Sequence, residues 1–294
     1  MVIVRLTGGL GNQMFQYAAG RALADRLGAE LLLDTRAFGN PLAFQDYTRR
    51  AYALSPFKLR AKLATAQDLK HWPVWPVEIG MRLRVVRPLF RRWHFESGIN
   101  YDPTLPALRE PVCLVGYWQS ERYFIDIAHR IRADFALAQA MSGENARLLE
   151  LAQSGHSVGL HVRRGDFVSL SDAAQVHGLC SVDYYRRAIG LLRDRFPECR
   201  FLVFSDDTPW ARAELPLGAS AVFVEGNERQ PEQDLALMSA CRHHIIANSS
   251  FSWWAGWLGY SPEQMVIAPT PWYASAKLDA RDLVVPRWQS INRV

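Results

Sequence analysis

The residues best suited to chemistry lie together in His161-Val162-Arg163-Arg164-Gly165-Asp166. Two adjacent arginines and a carboxylate follow an apolar run, Ser157 to Val162, that stops abruptly. A guanidinium presents a planar fork of N–H donors that matches phosphate oxygens. Asp166 is placed to anchor one arginine so that the other faces a ligand. The stretch reads as the seat of an anionic ligand, foremost a diphosphate; the alternative is a salt-bridged loop.

The run that precedes it has the length and composition of a buried strand, and ligands of open α/β sheets bind beyond the carboxyl ends of strands. From Ser157 onward strands and helices alternate. Arg200 to Phe204 ends in Ser205-Asp206-Asp207, Ala221 to Val224 follows, Pro231 opens a helix bearing Asp234, and His244 to Ala247 ends in Asn248-Ser249-Ser250-Phe251-Ser252-Trp253-Trp254. This pattern predicts a parallel, doubly wound sheet. Right-handed crossovers bring the strand ends at 162, 205 and 247 to one edge. Asn248-Ser249-Ser250 then offers hydroxyls and backbone N–H groups at a positive helix end, a phosphate cradle. A carboxylate such as Asp206 accepts the N1–H and N2–H₂ of guanine as a pair, and Phe251 is available to stack on a base.

The first half opens with a strand, Val2 to Thr7, then Gly8-Gly9-Leu10-Gly11-Asn12-Gln13 and a helix marked by Phe15, Ala19, Leu23 and Leu27, stopped by Gly28. Leu31 to Asp34 is the next strand. The unit is similar to a dinucleotide fingerprint, with Asp34 at a suitable distance but Met14 at the third glycine position. The glycines serve either a tight turn alone or a loop from which Asn12 and Gln13 face a cleft. After the strand Val112 to Val115, Gly116-Tyr117-Trp118-Gln119 turns into a helix expected to reach Ala136. Trp118 is either a sugar platform or a core residue. Residues 137–156 read as a helical connection between halves.

Composition narrows the field. The chain has 294 residues, 49% hydrophobic and 21% charged, enough for one large or two medium globular domains. A formal charge of +5 suits an anionic ligand and is too weak to argue a nucleic-acid partner. Four cysteines form no CxxC pair, which predicts reduced thiols and no metal site. No Asp-x-Asp, G-x-x-x-x-G-K-[ST] or G-x-S-x-G appears, which argues against a P-loop ATPase and an α/β hydrolase. Arg82, Arg84, Arg87, Arg91 and Arg92 form a basic cluster, either a solvated face or a surface for anionic lipid or an acidic glycan.

Five ordered blocks, Gly8 to Tyr17, Gly116 to Ser120, His161 to Asp166, Phe204 to Asp207 and Asn248 to Trp254, together resemble the α-1,2-fucosyltransferases of glycosyltransferase family 11. The resemblance runs to about Trp272. It implies an inverting, metal-independent transfer of fucose from GDP-β-L-fucose to a hydroxyl, usually the 2-OH of galactose, with no cofactor. It implies an α/β fold of GT-B type, two Rossmann-like domains with parallel sheets facing a central cleft: 1–150 on the acceptor side and 151–294 binding the donor. By the same resemblance Arg163, with Arg164 beside it, clamps the pyrophosphate and His161 lies near the nucleotide. Asp234 contacts guanine in preference to Asp206, Ser249 and Ser250 bind phosphate, and Asn12 faces the reacting sugar. For a base, Asp172 and His177 are the candidates, because Ser171 stands where a related family has glutamate; Asp166 ranks as structural. A first strand starting at residue 2 resembles the soluble bacterial enzymes. That predicts a cytoplasmic protein, at most peripheral to the inner membrane through the arginine cluster, acting on galactose-terminated oligosaccharides or lipid-linked glycans. Rival readings are another GDP-sugar or linkage, or a nucleotide- or glycan-binding protein without catalysis.

Overall fold

The computed structural model describes residues 1–39, 50–72, 92–165 and 176–294. The chain divides into two compact units, Met1–Ala136 with Arg281–Leu283 and Leu137–Ala280 with Val284–Val294. The expected boundary near 150 thus falls at Ala136. The helix expected as a connection, Gly143–Gln153, buries Leu148 and Ala152 and packs with the second unit.

In the first unit five parallel strands, β1 (Val2–Arg5), β2 (Leu31–Asp34), β3 (Lys62–Leu63), β4 (Trp93–Phe95) and β5 (Val112–Val115), run in the order β3-β2-β1-β5-β4. β1, β2 and β5 are buried at every residue, as the apolar runs of a sheet covered on both faces require. Helix α1 (Leu10–Leu27) packs on β1 and stops at Gly28, which takes the left-handed conformation at φ +60°. The helix expected to reach Ala136 is α2 (Ala128–Asp134), and two 3₁₀ turns, Glu121–Tyr123 and Ile125–Ile127, precede it.

The second unit carries six parallel strands in the order β11-β10-β9-β6-β7-β8: β6 (Ser157–Val162), β7 (Arg200–Ser205), β8 (Val222–Phe223), β9 (His243–Ile245), β10 (Val266–Thr270) and β11 (Gln289–Asn292). Helices α3 (Gly143–Gln153), α4 (Val182–Arg195), α5 (Thr208–Glu214), α6 (Pro231–Ala240) and α7 (Ser250–Leu258) belong to it. Alternate residues of β6, Val158, Leu160 and Val162, join Tyr184, Tyr185, Ile189 and Leu192 of α4 in one core. With β6 flanked by β9 and β7, and Val162 in register with Ser205, the strand ends at 162, 205 and 247 do share an edge. Among the described residues no helix is long and apolar enough to cross a membrane.

Candidate active site

At the carboxyl edge of the second sheet the two arginines are held by two aspartates from the neighbouring strand. Arg163 Nη1 lies 3.1 Å from Asp206 Oδ2, and Arg164 Nε lies 3.0 Å from Asp207 Oδ2. Asp206 Oδ1 also accepts the backbone N–H of Arg164 at 2.7 Å. The Arg164 guanidinium stacks over the Trp210 ring at 4.1 Å, in the first turn of α5. Asp207 caps that helix by accepting the Trp210 N–H, and Ser205 Oγ accepts the N–H of Asp207. Asp206 and Asp207 anchor the arginine pair; Asp166, expected to anchor one arginine, and Asp172 lie outside the described residues. Asp206, considered as a reader of guanine, holds the arginine loop, and Ser205, considered as a ligand, holds the Asp207 turn. Arg164 is braced by a ring face as well as by a carboxylate. Arg163 keeps 27% of its side chain exposed.

His161 is buried against Phe251, ring centroids 5.4 Å apart. Burial pushes its imidazole down to about 4, so it is neutral at pH 7, and its Nδ1 has no hydrogen-bond partner among the described residues. A neutral imidazole nitrogen in the wall of an anion site supplies one directed hydrogen bond and no charge. Phe251 lies in the first turn of α7, whose cap is Ser249: its Oγ accepts the Phe251 N–H at 3.3 Å and leaves its own O–H to donate. Ser250, half-buried, follows at the same positive helix end. Asn248 has a different task. Its Nδ2 donates to the carbonyls of His177, Gly178 and Trp272, and its Oδ1 faces Cys180 Sγ, so its amide fastens a loop and keeps no donor for a ligand. His177 packs its ring against Tyr273.

Asp234 stands in the first turn of α6 and accepts Asn227 Nδ2 at 2.8 Å. Asn227 in turn exchanges hydrogen bonds with Asn145 of α3. Burial, reinforced by Glu228 and Glu232 and opposed by the Asn227 bond, pushes the Asp234 carboxyl up to about 6.

The glycine-rich loop of the first unit is not a phosphate cradle. Gly8 takes φ +74°, and the space over its Cα is filled by Asn12, whose Nδ2 lies 2.6 Å from where a Cβ would sit. Asp34 is clasped by Arg36 through both oxygens, at 2.9 and 2.8 Å, so it is committed within its own turn. Gln13, expected in a cleft, is fully buried and tied to Gly8, Ala51 and Ala53. Trp118, considered as a sugar platform, is also fully buried, stacked on His94. Asn12 is left partly exposed, its Oδ1 accepting Gln119 Nε2 at 2.9 Å. The cysteines are all buried thiols, and no cluster of three His, Cys, Asp or Glu suited to a metal occurs among the described residues. Of the basic cluster only Arg92 is described, and it is exposed.

Comparison with known proteins bears on the whole arrangement. The model for glycosyl transferase family 11 matches residues 105–292. An Escherichia coli alpha-1,2-colitosyltransferase is 34% identical over 304 residues, covering 100% of this chain and 99% of that protein. The Escherichia coli O-antigen biosynthesis glycosyltransferase WbnK is 28% identical over 286 residues, covering 92% and 94%. Galactoside alpha-(1,2)-fucosyltransferase 1 of Saimiri boliviensis boliviensis is 28% identical over 261 residues, covering 85% of this chain and 63% of that one. Among solved structures, NodZ alpha-1,6-fucosyltransferase soaked with GDP-fucose aligns at a TM-score of 0.52 with 16% identity, covering 87% of this chain and 92% of that one, a likeness of fold. The two parallel α/β units are of GT-B type, and the chain belongs to glycosyltransferase family 11.

Proposed function

We propose that this glycosyltransferase moves L-fucose from GDP-β-L-fucose to the 2-OH of a galactose-containing glycan, with inversion and without a metal ion. The observation that carries the reading is the braced pair Arg163–Arg164 beside the Ser249–Ser250 helix end. Arg163 meets the pyrophosphate, and the serine hydroxyls and helix N–H groups share its charge. Cleavage of the fucosyl bond places negative charge on departing GDP, and donors fixed before the reaction stabilise it without reorganisation. His161 contributes a neutral hydrogen bond to the same ligand. Asp234, with one oxygen oriented by Asn227, receives the guanine edge. The acceptor sugar is taken by the first unit, near Asn12. The α-1,2 linkage is supported by the names of the relatives, which include an alpha-1,2-colitosyltransferase and galactoside alpha-(1,2)-fucosyltransferases.

A second reading concerns only the donor sugar. The colitosyltransferase is similar along the whole chain, and colitose is L-fucose without its 3-hydroxyl. GDP release would be measured for GDP-fucose, GDP-colitose and GDP-mannose against lactose and N-acetyllactosamine. Preference for GDP-colitose replaces the fucose assignment. GDP release from none of the pairs would reduce the protein to a nucleotide or glycan binder.

A further inference from the structure

The end of β4 and the end of β5 in the first unit are joined by a half-buried carboxylate that the transfer chemistry above does not use. Glu96 follows β4. Its Oε2 accepts the Tyr117 N–H at 2.7 Å and its Oε1 accepts the Trp118 N–H at 2.8 Å. Burial raises its carboxyl above the usual range, while these two N–H bonds oppose the rise. The turn it holds is strained: Trp118 has φ +57°, the left-handed region, and no other non-glycine residue among those described has a positive φ. The indole is locked in that turn between His94, at 5.6 Å, and Tyr123, at 5.7 Å. Gly116 is where the carboxylate approaches the turn, since a Cβ there would meet Glu96 Cβ at 2.4 Å.

A backbone conformation of this kind persists only when its surroundings over-determine it, and such strain clusters where a side chain must be aimed. Here the residue after the turn is Gln119, whose Nε2 donates to Asn12 Oδ1 at 2.9 Å. With its Oδ1 held by Gln119 and its Nδ2 lying over Gly8, the Asn12 amide is fixed in orientation from both ends. We propose that Glu96 is a positioning residue for sugar transfer: by fixing the left-handed turn at Trp118 it aims Gln119, which sets the orientation of the Asn12 amide at the acceptor sugar. The statement rests on the placing of Asn12 at the reacting sugar under the proposed function. It assigns no proton transfer to Glu96.

The test uses the full chain and two variants. Glu96→Gln sets an amide nitrogen against one of the two N–H groups. Gln119→Glu replaces a donor by an acceptor, and so reverses the Asn12 amide without touching the buried turn. Each variant is expected to lose at least tenfold in kcat with the galactoside acceptor, with GDP affinity within twofold of the unaltered protein. In each the Asn12 side-chain amide resonance, assigned by its loss in Asn12→Asp, should shift. If Glu96→Gln fails to fold, Gln119→Glu decides alone. A kcat within twofold of the unaltered protein, an unmoved Asn12 resonance, or a parallel fall in GDP affinity overturns the inference. If the unaltered chain transfers no sugar, the proposed function fails separately, and the resonance still tests the coupling of Glu96 to Asn12.

Discussion

Arg163 and Asp206 meet at 3.1 Å across the ends of two adjacent strands. The aspartate holds the arginine loop from both sides, since it also accepts the backbone N–H of Arg164. A guanidinium braced in this way enters the reaction already aimed, which is what lets a fixed cation act on a transition state. Arg163→Ala should lower kcat about a hundredfold, ~3 kcal/mol in the barrier, with an unchanged circular dichroism spectrum. Asp206→Asn keeps a hydrogen-bond acceptor and loses the charge, so a smaller fall is expected. Turnover near that of the unaltered chain in Arg163→Ala would remove the clamp from the mechanism.

The second arginine is set by stacking as well as by charge. Arg164 lies 4.1 Å over Trp210 and 3.0 Å from Asp207. A cation over an aromatic face contributes about 1 kcal/mol. Trp210→Phe should hold GDP affinity within a few-fold, whereas Trp210→Leu should lower it about tenfold. Calorimetry of GDP binding to the two variants checks this. Equal affinities would show that the ring is filler and not a support.

The charge argument also predicts the response to metal removal. If guanidinium groups and a helix end neutralise departing GDP, turnover in excess EDTA should match turnover in magnesium or manganese within twofold. Loss of transfer with chelator and its return with either ion would overturn the assignment of that charge to Arg163.

Much of this edge is written in the order of the residues. β6 is six residues of buried chain ending in two arginines, and its type, length and polarity are all visible. The pairing of Arg164 with Asp207 is not, because it follows from the register of β6 on β7, Val162 opposite Ser205. Gln13 and Gln16 are polar, yet both are fully buried, since groups at the ends of neighbouring segments satisfy their amides. β11 is polar and mostly exposed, and becomes a strand only through its neighbour β10, so no periodicity announces it. Glu96 carried no signal at all: its importance lies in two N–H groups that arrive from another strand.

Buried histidines set the acid limit of stability. His161 and His244 are both pushed by burial from 6.5 to about 4. Between those values the unfolded chain binds protons that the folded chain excludes, so stability rises with pH there and falls as pH drops. Each group contributes on the order of 3 kcal/mol across the window. For His244 burial outweighs the hydrogen bond of Nε2 to Met238 O, which favours protonation, while Nδ1 accepts from Gln264 Nε2. Urea midpoints at pH 7 and pH 4.5 should differ strongly. His161→Phe should shrink the difference; an unchanged difference would show that His161 titrates normally.

Asp234 runs in the opposite sense, which separates its effect from that of the histidines. Its carboxyl is pushed up from 3.8 to about 6, so the folded chain holds a proton there that the unfolded chain has lost. The resulting contribution to stability is complete below about 3.8 and disappears as pH rises through 6. Ligand binding should follow the ionised form, because only a carboxylate accepts two N–H groups of guanine together. GDP affinity is therefore expected to fall about tenfold per pH unit below 6 and to level off above it. Asp234→Asn should bind GDP weakly at every pH and lose that dependence, while its urea midpoint loses one term that falls between pH 4 and 6. GDP titrations at pH 5 and pH 7.5 on both proteins decide the matter. If Asp234→Asn keeps the affinity and slope of the unaltered chain, guanine is read by another group.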